Sequence, residues 1–300
     1  MKGNGRYLAV VLAFCIFGFM PIYWSVLSHV DSTVILFHRS LWIFFTLLPY
    51  FLWKSRLKKA YFIEIGTLIK KNWGSLLFSS GAISMNWLGY IYAINHGYVI
   101  EASLAYYISP ILTIVLSLIF LKESMSIRQW ISVAFVFLAI IYLLVAKGVF
   151  PKFALLIGIS FAIYGILSRL MSFPALEKLA IETFIIVLFL SFFAVKPTVV
   201  YLDFINASLS TKYLLFFTGT VTMIPMLLYI QATKLLKFTT IGILGFILPT
   251  LILLLGFFYF KTPWELENII CMAFIWPSIG LYIFDLFKEK QTNSPVSGRI

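Results

Sequence analysis

Arg39, with His38 beside it, stands inside an otherwise apolar run long enough to cross a bilayer, in a chain of 300 residues that is 62% hydrophobic. A charge at the centre of a membrane helix costs roughly 3 kcal/mol on insertion scales, so this guanidinium calls for a polar cavity around it rather than lipid. Its chemistry is the binding of a carboxylate or phosphate through paired N–H donors. Asn86 has the donors and acceptor to fix the orientation of such a solute, and Glu101 places a carboxylate at the start of a later apolar run. Trp87, Tyr90, Tyr106, Tyr107 and Tyr164 supply aromatic walls suited to a flat or apolar solute, and Gln231 is a further polar group for the same space. The structural alternative is an Arg39–Glu101 ion pair that only ties helices together. A gate could serve both purposes.

His38 and Glu182 form a second candidate pair, for gating or proton coupling. Imidazole titrates near neutral pH, and burial raises a carboxyl toward that range. Pairing of Glu182 with Arg169 or Lys178 is the structural reading. No catalytic constellation is expected: the chain has no HExxH, no GxSxG, no paired-aspartate motif and no phosphate loop. No metal site and no cofactor site is expected either. Cys15 and Cys271 both fall in apolar segments and read as small hydrophobes.

The composition sets the class. Asp, Glu, Lys and Arg make up 11% of the chain, against about 25% in soluble domains, and mean hydropathy is +1.01. No soluble fold of this size buries so much apolar surface, so the chain reads as an all-α polytopic membrane protein. The net charge of +12 does not point to nucleic acid, because the basic residues cluster in short loops, as orientation signals do.

Apolar runs of about 20 residues cross the hydrocarbon core as helices. Ten are expected, at 7–27, 33–53, 73–94, 101–121, 128–146, 152–170, 178–195, 212–233, 238–260 and 267–287. The first is too long for a signal-peptide core and reads as a retained helix. With the N-terminus inside, 17 of the 23 lysines and arginines fall in cytoplasmic segments and 5 in outer ones, which puts both termini in the cytoplasm. The stretch KSRLKKAYFIEIGTLIKK reads as a short amphipathic piece on the inner surface, its lysines meeting anionic lipid. Residues 288–300 read as a cytoplasmic tail. On this topology Arg39 lies roughly 9 Å deep from the outer face and Asn86 about 20 Å from the inner one, on a shared layer.

The chain also repeats itself. Residues 13–18 match 160–165, and 90–122 match 229–261 without a gap, aligning Tyr90 with Tyr229, Pro110 with Pro249 and Lys122 with Lys261. Five spans per repeat is an odd number, so the halves 7–146 and 152–287 enter the membrane in opposite senses, as in secondary transporters. Pro110 and Pro249 are expected to break or bend equivalent helices.

These residues resemble the RarD-type branch of the EamA family, within the drug/metabolite transporter superfamily. The resemblance rests on His38-Arg39-Ser40-Leu41-Trp42, Asn86-Trp87, Glu101 through Pro110, Ser160 through Gly165, Ile181-Glu182-Thr183 and Ala273 through Trp276. It spans residues 7 to 287. It implies ten helices in two EamA repeats and export or exchange of small organic solutes. One departure is Gly245 through Thr250, where relatives usually carry a glutamine and a small residue, so no cargo contact is carried over to that helix.

The leading expectation is thus a secondary transporter in a bacterial inner membrane. It would move an amino-acid-like or other anionic or zwitterionic metabolite, or a drug, by alternating access. Its partners would be that solute, the lipid bilayer, a coupled proton or counter-substrate and, in a homodimer, a second copy of the chain. The alternative from another class is an intramembrane lipid-modifying enzyme using His38 and Glu101.

Overall fold

Apolar side chains and the lack of water in lipid oblige each segment to satisfy its own backbone, and the chain does so with helices throughout. The computed structural model describes residues 5–96, 98–148, 152–194, 204–261, 263 and 265–292, and no strand occurs among them. The helices are α1 (Gly5–Val26), α2 (Ser32–Leu57), α3 (Tyr61–Asn95), α4 (Val99–Phe120), α5 (Ile127–Lys147), α6 (Lys152–Leu170), α7 (Ala175–Phe189, continued by a π-turn over Leu190–Ala194), α8 (Leu209–Leu235), α9 (Phe238–Leu244), α10 (Ile247–Phe258) and α11 (Leu266–Thr292). Asp31 caps α2 by accepting from the Thr33 amide. Ser126 and Gln129 cap α5 reciprocally, and Gly148 ends it in the left-handed conformation.

Among the described residues, eight segments are long and apolar enough to cross a membrane, with α9 and α10 counting together as one. The two expected spans outside that set are those of α3 and α7. Ser79, Ser80, Ser84 and Asn86 dilute the hydropathy of α3, while α7 is short and carries Glu177, Lys178 and Glu182. The stretch expected as a separate amphipathic piece is not separate. From Tyr61 it is the first part of α3, a single helix of 35 residues, about 52 Å long against a core of about 30 Å. Tyr61 and Ile65 of that extension share a buried cluster with Met171 and Phe173, which follow α6. Residues 293–300, most of the expected tail, lie outside the described residues.

Contacts at the helix ends fix which ends share a face. Where α2 ends, Lys54 pairs with Glu177 at the start of α7, and Tyr61 at the start of α3 also reaches Glu177. On that same face Arg169, at the end of α6, donates to the Thr233 carbonyl near the end of α8. Glu123, just past α4, accepts from the amides of Phe238 and Thr239 at the start of α9 (2.7 and 2.9 Å). Ser126 and Arg128, at the start of α5, reach Asp285 toward the end of α11. On the opposite face Tyr23, late in α1, donates to the Leu214 carbonyl early in α8, and Lys147, ending α5, pairs with Glu265. Hence α1 runs against α6, α2 against α7, α3 against α8, α4 against α9–α10, and α5 against α11.

Packing is reciprocal in the same sense. Helix α1 packs on α8 and α10, while α6 packs on α3 and α4. Two glycines permit the closest approaches. A Cβ on Gly219 of α8 would lie 2.6 Å from the Ile43 amide nitrogen of α2, and one on Gly242 of α9 would lie 2.9 Å from the Pro110 carbonyl oxygen of α4.

The two aligned prolines sit differently. Helix α4 runs on through Pro110. Its counterpart is interrupted at Gly245-Phe246, and Pro249 falls in the first turn of α10, where a missing N–H leaves no helix bond unmade. Beyond each helix the aligned residues Lys122 (φ 49°) and Lys261 (φ 57°) are left-handed, and they are the sole non-glycine residues at positive φ among the described residues.

Candidate functional site

The first four helices converge on Arg39, seven residues from the Thr33 side of α2 at its capped end. The side chain is 4% exposed. Its guanidinium carbon lies 4.0 Å from the Trp24 ring centroid of α1 and 4.8 Å from the Trp87 centroid of α3. Two indole faces thus replace water around the charge, and such contacts strengthen when desolvated. Neither indole supplies a counter-charge or accepts through an oxygen. The Nε–H has no hydrogen-bond partner, and no carboxylate pairs with Arg39 among the described residues. Glu101 is the third residue of α4, in its first turn, but its side chain lies outside the described residues, and so does the expected Arg39–Glu101 pair.

Tyr106, Tyr23 and Tyr90 all stand within electrostatic reach of the guanidinium. The Tyr90 and Tyr106 rings meet edge to face at 5.3 Å and their hydroxyls are hydrogen-bonded. Both are partly buried: they pack against the hydrophobic clusters around them while keeping some accessible surface. Asn86 is half-buried beside them. Its amide donates to the Ile157 carbonyl of α6 (2.9 Å), which ties the first half of the chain to the second.

Arg39, Trp87, Tyr90 and Tyr106 therefore meet in one place, and Asn86 lies on the adjoining turn of α3. Tyr107 points about 100° away from Tyr106 around α4 and is buried in the cluster that also holds Ala139, Leu143 and Cys271. Gln231 does not stand with the Arg39 group: it is exposed on α8, whose buried residues nearby are Tyr229, Ile230, Ala232 and Thr233. His38 is buried, with its ring stacked on Phe204 at 5.1 Å and edge-on to Phe37, and both ring nitrogens lack partners. Trp24 and Tyr23 are site residues that sequence reasoning missed. Near the end of an apolar span they read as interface-belt aromatics, and nothing in the spacing separates the two roles.

Tyr164 and Glu182 belong to a different cluster, toward the opposite face. Lys178 and Glu182, one turn apart on α7, form an ion pair with both side chains fully buried. Ser79 Oγ accepts from Lys178 Nζ at 3.1 Å, the Tyr164 hydroxyl donates to Glu182 Oε2 at 3.3 Å, and the ammonium sits 4.1 Å over the Tyr164 ring. Between this cluster and the face, Glu177 takes Lys54 at 2.7 Å, Tyr61 at 3.0 Å and Tyr50 at 3.2 Å. That network joins α2 and α3 to α7, closing this side. Of the two partners expected for Glu182, Lys178 is the one present.

Comparison with known proteins agrees with this architecture. Residues 5–145 match the EamA-like transporter family. The chain is 35% identical to the uncharacterized transporter YojE of Bacillus subtilis, over 96% of this chain and 95% of that one. It is 31% identical to protein RarD of Salmonella typhimurium, over 93% and 94%, and 29% identical to protein RarD of Escherichia coli, over 95% and 96%. A crystal structure of a protein with 15% identity superposes at a TM-score of 0.69, covering 94% of this chain and 98% of that one, a likeness of fold. An all-helical bundle with eight segments among the described residues long and apolar enough to cross a membrane, relatives that are named transporters and near-complete coverage of them have one reading: the chain is a multi-pass membrane protein belonging to the EamA-like transporter family, as a RarD-type member of the drug/metabolite transporter superfamily.

Proposed function

We propose that the protein is a secondary transporter of the bacterial inner membrane that moves a small anionic or zwitterionic organic solute by alternating access, with Arg39 receiving the cargo's acidic group. One observation carries this reading. A buried guanidinium held between Trp24 and Trp87 has an unpartnered Nε–H and stands near tyrosines that keep some accessible surface. Placing a charge there without a described carboxylate costs stability. An incoming carboxylate would supply the missing counter-charge, while the rings would hold the solute's apolar part.

Alternating access draws support from the helix directions. Five helices run opposite to their five counterparts, α1 packs on the second half as α6 packs on the first, and the aligned lysines share a rare backbone conformation. This fits ten spans in two inverted halves, 7–146 and 152–287, rocking about the space between them. The Lys54–Glu177 network would be the contact that parts when the cytoplasmic side opens. An enzyme using His38 and Glu101 finds no support in the relatives, and the His38 ring lies against Phe204 rather than against Arg39.

The test is counterflow of amino acids and related carboxylates in proteoliposomes, with the products analysed for chemical change. Wild-type protein should carry at least one solute across unaltered, and Arg39→Ala should abolish its flux while keeping the wild-type elution profile. Undiminished flux in folded Arg39→Ala, or a covalently altered solute, would sink the reading.

A further inference from the structure

Helix α3 is about 52 Å long and α2 about 39 Å, yet the two stay together at both ends. At one end the Lys58 amide donates to the Lys54 carbonyl and the Tyr61 amide to the Lys58 carbonyl, which makes a tight turn. At the other end His96 stands within electrostatic reach of Asp31. The extra length of α3 is therefore taken up by inclination, so its first turns lean along the membrane face instead of rising away from it.

The residues of this corner sort by chemistry. Tyr61 and Ile65 are buried in the cluster that holds Met171 and Phe173. The outward side mixes two kinds of side chain. Leu57, Phe62, Ile63 and Trp73 are exposed apolar groups, and Arg56, Lys58, Lys59, Lys70 and Lys71 are exposed cations. Glu64 is the sole carboxylate between Ser55 and Asn72, and Lys58 pairs with it. Arg56, Lys59, Lys70 and Lys71 are left without an ion pair among the described residues. A surface facing water has no use for Ile63 at 73% exposure, and one facing acyl chains does not accept four unpaired cations. Both kinds on one short helical stretch are the make-up of a segment that lies at the headgroup level.

We propose that the α2–α3 corner is a binding surface for anionic phospholipid, with headgroup phosphates held by Arg56, Lys59, Lys70 and Lys71 and acyl chains lying against Leu57, Phe62, Ile63 and Trp73. An anionic lipid meets both halves of that surface. A soluble anion would leave the apolar half in water, and a zwitterionic lipid would bring its own ammonium up to the lysines. The corner also carries the closure of its face. Lys54 stands two residues before Arg56, Tyr61 opens α3, and both reach Glu177. Lipid seated here touches the outer side of the turn whose inner side ties α2 and α3 to α7. The surface is separate from Arg39, and it depends on the chain's place in a membrane rather than on the cargo.

The test is quenching of tryptophan fluorescence in the purified full chain by brominated phosphatidylglycerol, compared with brominated phosphatidylcholine. Trp53 and Trp73 are exposed beside the corner and report on it. Wild-type protein should favour phosphatidylglycerol by about five-fold or more, and added salt should weaken that preference. The preference should fall to near parity in Arg56→Gln/Lys59→Gln/Lys70→Gln/Lys71→Gln, and Trp53→Phe/Trp73→Phe should lose most of the quenching specific to phosphatidylglycerol. Lys122→Gln/Lys237→Gln, on the same face but away from the corner, should behave as wild type. Equal quenching of wild-type protein by the two lipids, or a preference indifferent to salt, would overturn the proposal. So would a preference that survives in the quadruple variant or falls as far in Lys122→Gln/Lys237→Gln. The measurement involves no cargo, so it can fail while Arg39-dependent flux stands, and the reverse.

Discussion

Arg39 is a charge whose environment is made by rings, and this makes its replacement by lysine a sharp test. Lysine keeps the charge but loses the flat, weakly hydrated group that lies between two indoles. Contact between a cation and an indole face is worth about 2 kcal/mol when desolvated. Trp87→Leu should therefore raise the half-saturation concentration of a carried solute about ten-fold or more, and Arg39→Lys should fail to restore the flux lost in Arg39→Ala. Counterflow titrations read both. If Arg39→Lys transports like wild type, the planar group is not what the cargo meets. Asn86 teaches a narrower lesson. Its depth in the span was legible in the sequence, but its bond to the Ile157 carbonyl depends on a helix 71 positions away and had no local signal. Gln231 shows the reverse: a polar residue in an apolar span suggests a cavity, and the helical phase that leaves it exposed is set by buried neighbours such as Tyr229 and Ile230.

At the scale of elements, two contacts govern α2. At its end, Lys54 is about one-third exposed and Glu177 1% exposed, so solvent screens one partner and not the other. Lys54→Met strands a buried carboxylate and should cost about 1–2 kcal/mol. Adding Glu177→Gln should recover most of it, which a double-mutant cycle of thermal unfolding in detergent would measure. A cycle with no coupling would remove this pair from the closure of that face. At the start of the helix, burial tends to raise the Asp31 carboxyl, but hydrogen bonds from the Thr33 side chain and amide and from the Val34 amide, with the charge of His96, bring it below the usual carboxylate range. A carboxyl lowered by folding stabilises the protein above its unfolded-state value, and that contribution fades as pH falls through the depressed one. Asp31→Ala should cost about 1 kcal/mol at neutral pH. The gap from wild type should close below about pH 4, as thermal melts across a pH series would record.

For the whole molecule, the charge bias predicts both termini on the cytoplasmic side. A fluorescent-protein fusion at the C-terminus should fluoresce, and an alkaline phosphatase fusion there should be inactive. The converse result would invert the topology and exchange the sides assigned to Arg39 and to the Lys54–Glu177 closure.

Composition and periodicity by themselves determined that the chain is helical and lies in a membrane, and the spread of its basic residues set the orientation that the fusions test. Each of those follows from local energetics, the transfer of apolar runs into lipid and the cost of charge within it. The match of 90–122 to 229–261 also pointed to a duplication, since a repeat is visible wherever prolines and glycines hold their spacing. The tertiary structure alone decided which polar groups share a space. It set Tyr164 with Lys178 and Glu182 rather than with Arg39, brought Trp24 and Tyr23 beside Arg39, and left Gln231 exposed. It also broke the helix before Pro249 while leaving α4 whole through Pro110. These outcomes depend on helical phase and on contacts between segments far apart in the chain, such as the close passage of Gly242 against the Pro110 carbonyl, and no window of sequence contains both partners.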